Sequence, residues 1–600
     1  MFALPRAAAY PVIATAFALL LVPTGQGWAA PSKSSAGHGA PKTVPAAAAT
    51  PAAVDRSPWL YNGSDIPQDP DWHFGTLPNG LRYAVRRNGV PPGQVAVRVR
   101  VDAGSLYETE SERGFAHFIE HLTFRGSAYV PDGEAKRVWQ RMGTTFGSDT
   151  NAQTTPTQTF FKLDLPSATE SGLDESLHIM SGMMESPAIT PQAVTAERPV
   201  VLAEQREAPG AQVRFGDAVR ATFFAGQPLA DRSPIGNIKT LEAATAETVK
   251  AFHDHWYRPE RTVVIVSGDI DPAVAEQLVI KNFSGWVRND PKPADPDFGK
   301  PDPSQPATRV IVEPSIPTLI TWAVLRPWQF NNDTIIFNQK RLVDQVALRV
   351  INRRLESRAR SGGSFLQASV QLNDEARSAN GTFVDVVPAG DDWEKAVKDV
   401  RAVIADAAAA PATQAEIDRE LAELDAAMKN QVATQAAEAG AKQADDLIEA
   451  LDIRETVTTA QGSYDVLAAA EKAGMFNPDA ILASTRRVFV GTATHAVINL
   501  HAPDATAGQR LAAVLSADVS GLAGARKALT KVDFSKLPPL GAPGTVTSRE
   551  KLGDFGSEKV VFSNGVRMIV FPSSSETGRV YVRVRCVRRQ RQWHRFEVVN

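Results

Sequence analysis

The sequence predicts an α+β protein assembled from repeated units of mixed strand and helix. Three observations carry that expectation. Strand-like alternation and helix-like periodicity succeed one another without a strict β-α-β order. A proline-rich break, "NDPKPADPDFGKPDPSQPATR" at 289–309, divides two long patterned regions. A hairpin pattern also recurs: "LPNGLRYAVRRNGVPPGQVAVRVRV" at 77–101 is echoed by "FSNGVRMIVFPSSSETGRVYVRVRC" at 562–586. Both copies give an Asn-Gly turn, a strand carrying a basic residue, a loop, and a strand ending V-x-V-R-V-R. Agreement in that order favours duplication over two unrelated hairpins.

The segments follow in sequence. A chain of 600 residues normally divides into several cores. Residues 1–29 read as a secretory signal: Arg6 precedes the apolar run 7–23, and the small residues Gly27 and Ala29 suit a peptidase cutting after Ala29 or Ala30. Tyr10 and Pro11 interrupt that run, which falls short of the ~20 residues of a spanning helix. The expected location is therefore periplasmic or secreted, without stable membrane insertion. Cys586 is the one cysteine, so no internal disulfide can form and the core must rest on burial alone. Residues 30–57, rich in Ala, Pro and Ser, read as a disordered linker.

Residues 58–295 form the first expected domain, opening with the alternating strands around 77–101. Its stretch "LDESLHIMSGMMES" reads as a helix in which His178 packs beside methionines. Residues 305–540 form the second, with strands such as "TFVDVVPA" and one long helical stretch from "TQAEIDRE" to "DDLIEAL". Residues 546–600 begin a third unit and leave it unfinished. Its end crowds Arg588, Arg589, Arg591 and Arg595 together, which reads as a truncated chain or altered frame rather than a nucleic-acid tail. Overall charge agrees: 64 basic against 67 acidic side chains create no field to attract a polyanion.

The chemistry concentrates in "RGFAHFIEHLTFRGS", residues 113–127. On a helix, His117 and His121 lie four apart and share a face. Two imidazoles so placed can bind one Zn²⁺, and Glu120 on the same side can take a proton from a water the metal activates. The plainer reading is a helix with two satisfied histidines. His253 and His255, two apart at a helix end, lack same-face spacing and are not expected to bind metal.

The wider run "AGSLYETESERGFAHFIEHLTFRGS" resembles the active-site region of the pitrilysin, insulinase and mitochondrial processing peptidase family, whose H-x-x-E-H signature inverts the commoner zinc order. "FGSDTNAQTTPTQTFFKLDLP", "TAERPVVLAEQRE", "SPIGNIKTLEAATAETVKAFHDHWYRPERTVVIVSGDID" and "INRRLESRARSGGSFLQASV" follow in that family's order, so the resemblance covers about 58 to 585.

The resemblance implies repeated mixed α/β sandwich-like domains and a zinc-dependent endopeptidase acting on unfolded peptides or small proteins, with Glu120 as general base. His117, His121 and Glu204, the second glutamate of E-R-x-V-V-x-x-E, would be the ligands, and Glu197 would support them. Pro199 then sits in the first turn of that helix or at a kink. Asn151 and Ala152 match an edge strand to which an extended substrate adds; an ordinary strand before a polar turn is the other reading. Residues 305–540 carry no H-x-x-E-H and would be a non-catalytic companion. The family's second half supplies an arginine and a tyrosine near the scissile bond, and no residue of this sequence matches them. A second reading is thus a peptide-binding or partner subunit, or a low-activity form, whose chamber a second subunit completes.

Overall fold

A computed structural model describes residues 64–206, 210–522, 542–553, 556–572 and 582–584. The expected signal, the 30–57 linker and the arginine-rich end fall outside the described residues. The chain separates into two compact units, residues 1–525 and 526–600.

The first unit holds two sheets. Strands β1 (His73–Thr76), β2 (Arg82–Arg87), β3 (Val95–Val101), β4 (Thr150–Thr154), β5 (Thr159–Leu165) and β6 (Thr262–Gly268) lie in the order β1-β2-β6-β3-β5-β4. Strands β7 (Thr308–Val312), β8 (Leu319–Pro327), β9 (Phe365–Glu375), β10 (Ala379–Pro388) and β11 (Ala493–Leu500) lie in the order β7-β11-β8-β10-β9. Leaving out β1, the two orders correspond strand for strand. In each, one parallel pair (β2 with β6, β7 with β11) is followed by antiparallel neighbours. The mixed α/β class expected from the sequence is the observed one.

Strand β3 shows how the first sheet is buried. Val95, Val97, Val99 and Val101 alternate into the main core, where they meet helix α1 (Phe115–Thr123). Ala96, Arg98 and Arg100 point the other way. That second face is closed by a helix from the far half of the unit. Breaks at 435–439 interrupt the long helical stretch expected from the sequence, and a shorter helix resumes at Gly440. The resumed helix starts close to the sheet: a Cβ at Gly440 would stand 2.9 Å from the Ser267 carbonyl oxygen. The resumed helix lays Ala444, Leu447, Ile448 and Leu451 on Trp72, Phe74, Ala84, Ala96, Phe160, Val263 and Ile265.

Both arginines of the V-R-V-R run are buried under that helix. Arg98 pairs with Asp164 at 2.6 Å and Asp445 at 2.7 Å. Arg100 pairs with Asp102 at 3.1 Å and Asp452 at 3.2 Å. Arg377, in the β9–β10 turn, donates to the same Asp102 at 3.1 Å and to the Thr157 carbonyl at 3.2 Å. The alternating strand is buried on both faces, with its cations matched by distant carboxylates.

In the second unit, strands Val546–Leu552, Ser557–Phe562 and Arg567–Val570 form an antiparallel sheet. The last two enclose a turn that repeats the one before β2. The Leu77 N–H donates to Leu81 O and Gly80 N–H to Leu77 O; Phe562 N–H donates to Val566 O and Gly565 N–H to Phe562 O. Gly80 and Gly565 have φ of 87° and 82°, the left-handed region that glycine tolerates. Much of the second strand of the repeat, 580–586, lies outside the described residues.

Candidate metal centre

Helix α1 is held by its apolar stripe: Phe115, Phe118, Ile119 and Leu122 recur at helical spacing and are buried. No side chain at Gly114 caps it. Instead the buried Glu108 carboxyl group accepts from the N–H groups of Gly114 and Ala116, both at 2.9 Å, filling two donors that the first turn of the helix leaves open. Burial pushes this carboxyl up to about 8, against the lowering effect of those amides. Gly114 has φ 99° and Gly236 φ 69°, and their backbones meet so closely that a Cβ on Gly236 would lie 2.4 Å from Gly114 Cα. Neither backbone can yield, so Gly236→Ala is expected to destabilise the fold by ~1–3 kcal/mol, visible as a lower Tm by circular dichroism; an unchanged Tm would contradict the close approach.

With the stripe inward, the polar face of α1 turns to the helix Pro191–Arg206, called α2. Pro199 sits inside α2, not in its first turn. The helix tolerates the lost N–H and still carries Glu197 and Glu204 to one side. His117 Nε2 lies 3.7 Å and His121 Nε2 3.4 Å from Glu204 Oε2. One ligand atom from each of the three residues falls within 4.8 Å of the others. His121 Nδ1 lies 3.0 Å from Glu197 Oε1. A carboxylate only accepts, so Nδ1 carries the proton and Nε2 keeps its lone pair for the Glu204 side. Arg125 Nη1 donates to the other Glu197 oxygen at 3.0 Å and itself pairs with Asp132 at 2.7 Å.

The donor set fits a divalent cation. Burial, then the neighbouring His121, lowers His117 to about 4, so its imidazole is neutral and able to ligate. Burial lowers His121 too, but the Glu197 bond and the nearby carboxylates outweigh it and raise the ring's pKa overall. Two imidazoles and a carboxylate suit Zn²⁺ at distances of ~2.0–2.2 Å, within reach of small side-chain movements. Glu120 is buried beside this cluster, raised by that burial, and its Oε2 accepts from Thr154 Oγ1 at 2.6 Å.

The structure thus brings together His117, Glu120, His121, Glu197 and Glu204. Asn151 and Ala152 lie on β4, which is an edge strand; Asn151 Oδ1 accepts from the Ala152 N–H at 2.9 Å. His178 departs from the sequence expectation: it is exposed and stacks on Tyr129 with ring centroids 4.8 Å apart, because its position on the helix looks outward. His253 is buried on the Met184 carbonyl at 2.9 Å. Sequence reading missed Thr154, Arg125 and Glu108. Thr154 had a signal, as the threonine of the N-A-x-T run. Replacing Glu197 with Gln is expected to weaken metal binding ~10–100-fold by loosening His121, measured by chelator competition; unaltered affinity would remove Glu197 from the support of the site.

Comparison with known proteins agrees with this geometry. Residues 84–233 match the family described as insulinase, peptidase family M16. Residues 243–424 match the model described as the peptidase M16 inactive domain. The chain is 34% identical over 224 residues to "Probable zinc protease PqqL" of Escherichia coli K12, covering 37% of this chain and 24% of that protein. It is 28% identical over 245 residues to "Stromal processing peptidase, chloroplastic" of Arabidopsis thaliana, covering 40% and 19%. The matched stretch thus spans about a quarter or less of these curated relatives. Among solved structures, the periplasmic protease PqqL from Escherichia coli shares the fold with a TM-score of 0.68 at 23% identity, over 85% of this chain and 57% of that one. The first half of the same protease, solved separately, gives 0.68 at 23% identity, over 78% of this chain and all of that one. With two successive M16 models covering more than half of its residues and the fold of an M16 peptidase, this chain belongs to the insulinase peptidase family.

Proposed function

We propose that the chain is a zinc-dependent endopeptidase that hydrolyses bonds in unfolded peptides or small proteins. The observation that carries this reading is the convergence of His117, His121 and Glu204 around one point, with the buried Glu120 carboxylate alongside. When bound, zinc supplies Lewis acidity that polarises a carbonyl and sharpens a water for attack. Glu120 then serves as general base, receiving the proton of the attacking water and handing it to the departing amine. Thr154, by donating to Oε2, fixes the carboxylate and leaves Oε1 for that exchange. The free edge of β4 offers main-chain groups to an extended substrate; the Ala152 N–H, now on Asn151 Oδ1, would turn to a substrate carbonyl.

In this reading residues 58–295 carry the site and 305–540 act as its companion. Export to the periplasm or beyond, after removal of residues 1–29, is part of the proposal, supported by the periplasmic relative. Among the described residues no helix is long and apolar enough to cross a membrane. The deciding experiment adds an unstructured fluorogenic peptide to the purified 30–600 chain and counts bound metal. Cleavage with about one zinc per chain supports the peptidase reading. Zinc without cleavage supports the peptide-binding or partner-subunit reading, in which another chain completes the chamber. Absence of metal overturns the zinc-site reading and with it the peptidase.

A further inference from the structure

Arg125 stands four residues beyond His121, just past the end of α1, and the chemistry proposed for the site gives it no part. Its two terminal nitrogens serve two carboxylates: Nη1 donates to Glu197 Oε2 at 3.0 Å and Nη2 to Asp132 Oδ2 at 2.7 Å. Its Nε is buried without a hydrogen-bond partner among the described residues, so those two bonds fix the guanidinium. The other Glu197 oxygen lies 3.0 Å from His121 Nδ1. Ionised carboxylates only accept and a guanidinium only donates. One ladder therefore runs from Asp132 through Arg125 and Glu197 to His121, with the direction of every bond set.

The backbone keeps the arginine in place. Its N–H donates to the Leu122 carbonyl at 3.1 Å, and its own carbonyl accepts from the Gly133 N–H at 2.7 Å. The loop between closes tightly, since a Cβ on Gly126 would stand 2.9 Å from the Asp132 nitrogen. That turn brings Asp132 back to Arg125. The same loop is tied to the approach to α2: Ala128 N–H donates to the Ser186 carbonyl and Ala188 N–H to the Gly126 carbonyl, both at 2.9 Å. Arg125 thus bridges the helix that carries His121 and the helix that carries Glu197. Glu204 is differently placed. The imidazoles of His117 and His121 approach it, and no Lys or Arg does among the described residues. Both oxygens of Glu197 are taken, whereas those of Glu204 stay available to a cation.

We propose that Arg125 is a positioning residue of the metal centre: it fixes the Glu197 carboxylate and, through it, the ring orientation and tautomer of His121. The proposal rests on the reading of His117, His121 and Glu204 as a zinc site. Arginine suits the part because its planar fork serves two carboxylates at once, where a lysine brings a single nitrogen. An imidazole already held at Nδ1 offers Nε2 to a metal without first having to be ordered. The Glu197 carboxylate stands between guanidinium and ring, so the charge of the arginine is matched before it faces a cation.

The test is zinc affinity of the purified chain by chelator competition. Arg125→Met is expected to weaken zinc about three- to tenfold, less than loss of Glu197 because it acts one contact further out. Arg125→Lys, which keeps one donor for Glu197, is expected to recover part of that loss. The same Arg125→Met change made on top of Glu197→Gln is expected to cost under about twofold, since its route to His121 is already gone. Bound Co²⁺ gives a second readout: its visible absorption, which follows ligand geometry, should change in Arg125→Met and change no further in the double variant. Unaltered zinc affinity in Arg125→Met, or no recovery by lysine, would overturn the proposal. So would an equal loss with and without Glu197→Gln, accompanied by a lower Tm of the metal-free chain, because Arg125 would then only tie the loop to α2. Failure of the unaltered chain to bind zinc at all would overturn the metal centre itself, and this proposal with it.

Discussion

Replacing Glu120 with Gln is expected to lower peptide cleavage by ~10²–10⁴-fold, the range associated with a positioned general base, while zinc content stays at the level of the unaltered chain. The change conserves shape and the Thr154 contact, since an amide oxygen can accept from Thr154 Oγ1 as Oε2 does at 2.6 Å. What it removes is the capacity to hold a proton. His117, His121 and Glu204 keep their positions, so metal analysis and activity should separate. Loss of zinc together with activity would instead mean that Glu120 helps hold the cation. Full activity in the variant would remove Glu120 from the mechanism.

The largest expected loss of stability comes from Asp102→Asn. Asp102 is approached by Arg100 and Arg377, each at 3.1 Å, and by Arg261 at 4.0 Å. Those three guanidinium groups are almost wholly buried, and removing the carboxylate leaves them short of one counter-charge. The cost is ~3–5 kcal/mol, as for other buried pairs broken on one side, read as a lower urea midpoint at pH 7. The sign of the pH dependence follows from the same contacts. Burial alone would raise the Asp102 carboxyl, but Arg377, Arg100, Arg454 and Arg261 together hold it well below the usual carboxylate range. A carboxyl depressed in the folded state stabilises above its unfolded value of ~3.9, and that stabilisation drains away as pH falls below it. The unaltered protein should therefore lose stability on acidification below about pH 4 more steeply than the variant. Coincident midpoints at pH 7 would show that the cluster contributes nothing net.

The two predictions fall on parts of the molecule that were unequally legible in the sequence. His117, Glu120 and His121 sit within one helical turn, so local periodicity places them together. Glu204 and Glu197 came from resemblance, and the structure shows why spacing could not choose between them: both reach His121, one at each ring nitrogen. Thr154 meets Glu120 because an edge strand pairs beside α1, and Glu108 caps α1 from an irregular segment. Neither relation has a local period. The strands of the first sheet were readable as strands, yet the fate of Arg98 and Arg100 was not. An arginine alternating with valine looks solvent-facing until its carboxylates arrive, here from Asp445 and Asp452. The strand order shared by the two sheets was equally hidden, since it resides in pairing rather than in similar words of sequence. The terminal hairpin repeat was visible because its Asn-Gly turn needs particular residues at particular places.

The helix Gly440–Asp452 also bears on how the protein is made. The first sheet is fully synthesised once β6 ends at Gly268, but one of its faces waits for residues that leave the ribosome much later. At ~5–20 residues per second, that interval lasts many seconds. Throughout it Trp72, Phe74, Phe160 and Ile265 lack their cover, and Arg98 lacks Asp445. A nascent chain that has not yet reached residue 440 therefore presents an uncovered apolar face, and a fragment ending near residue 300 would keep that exposed face permanently.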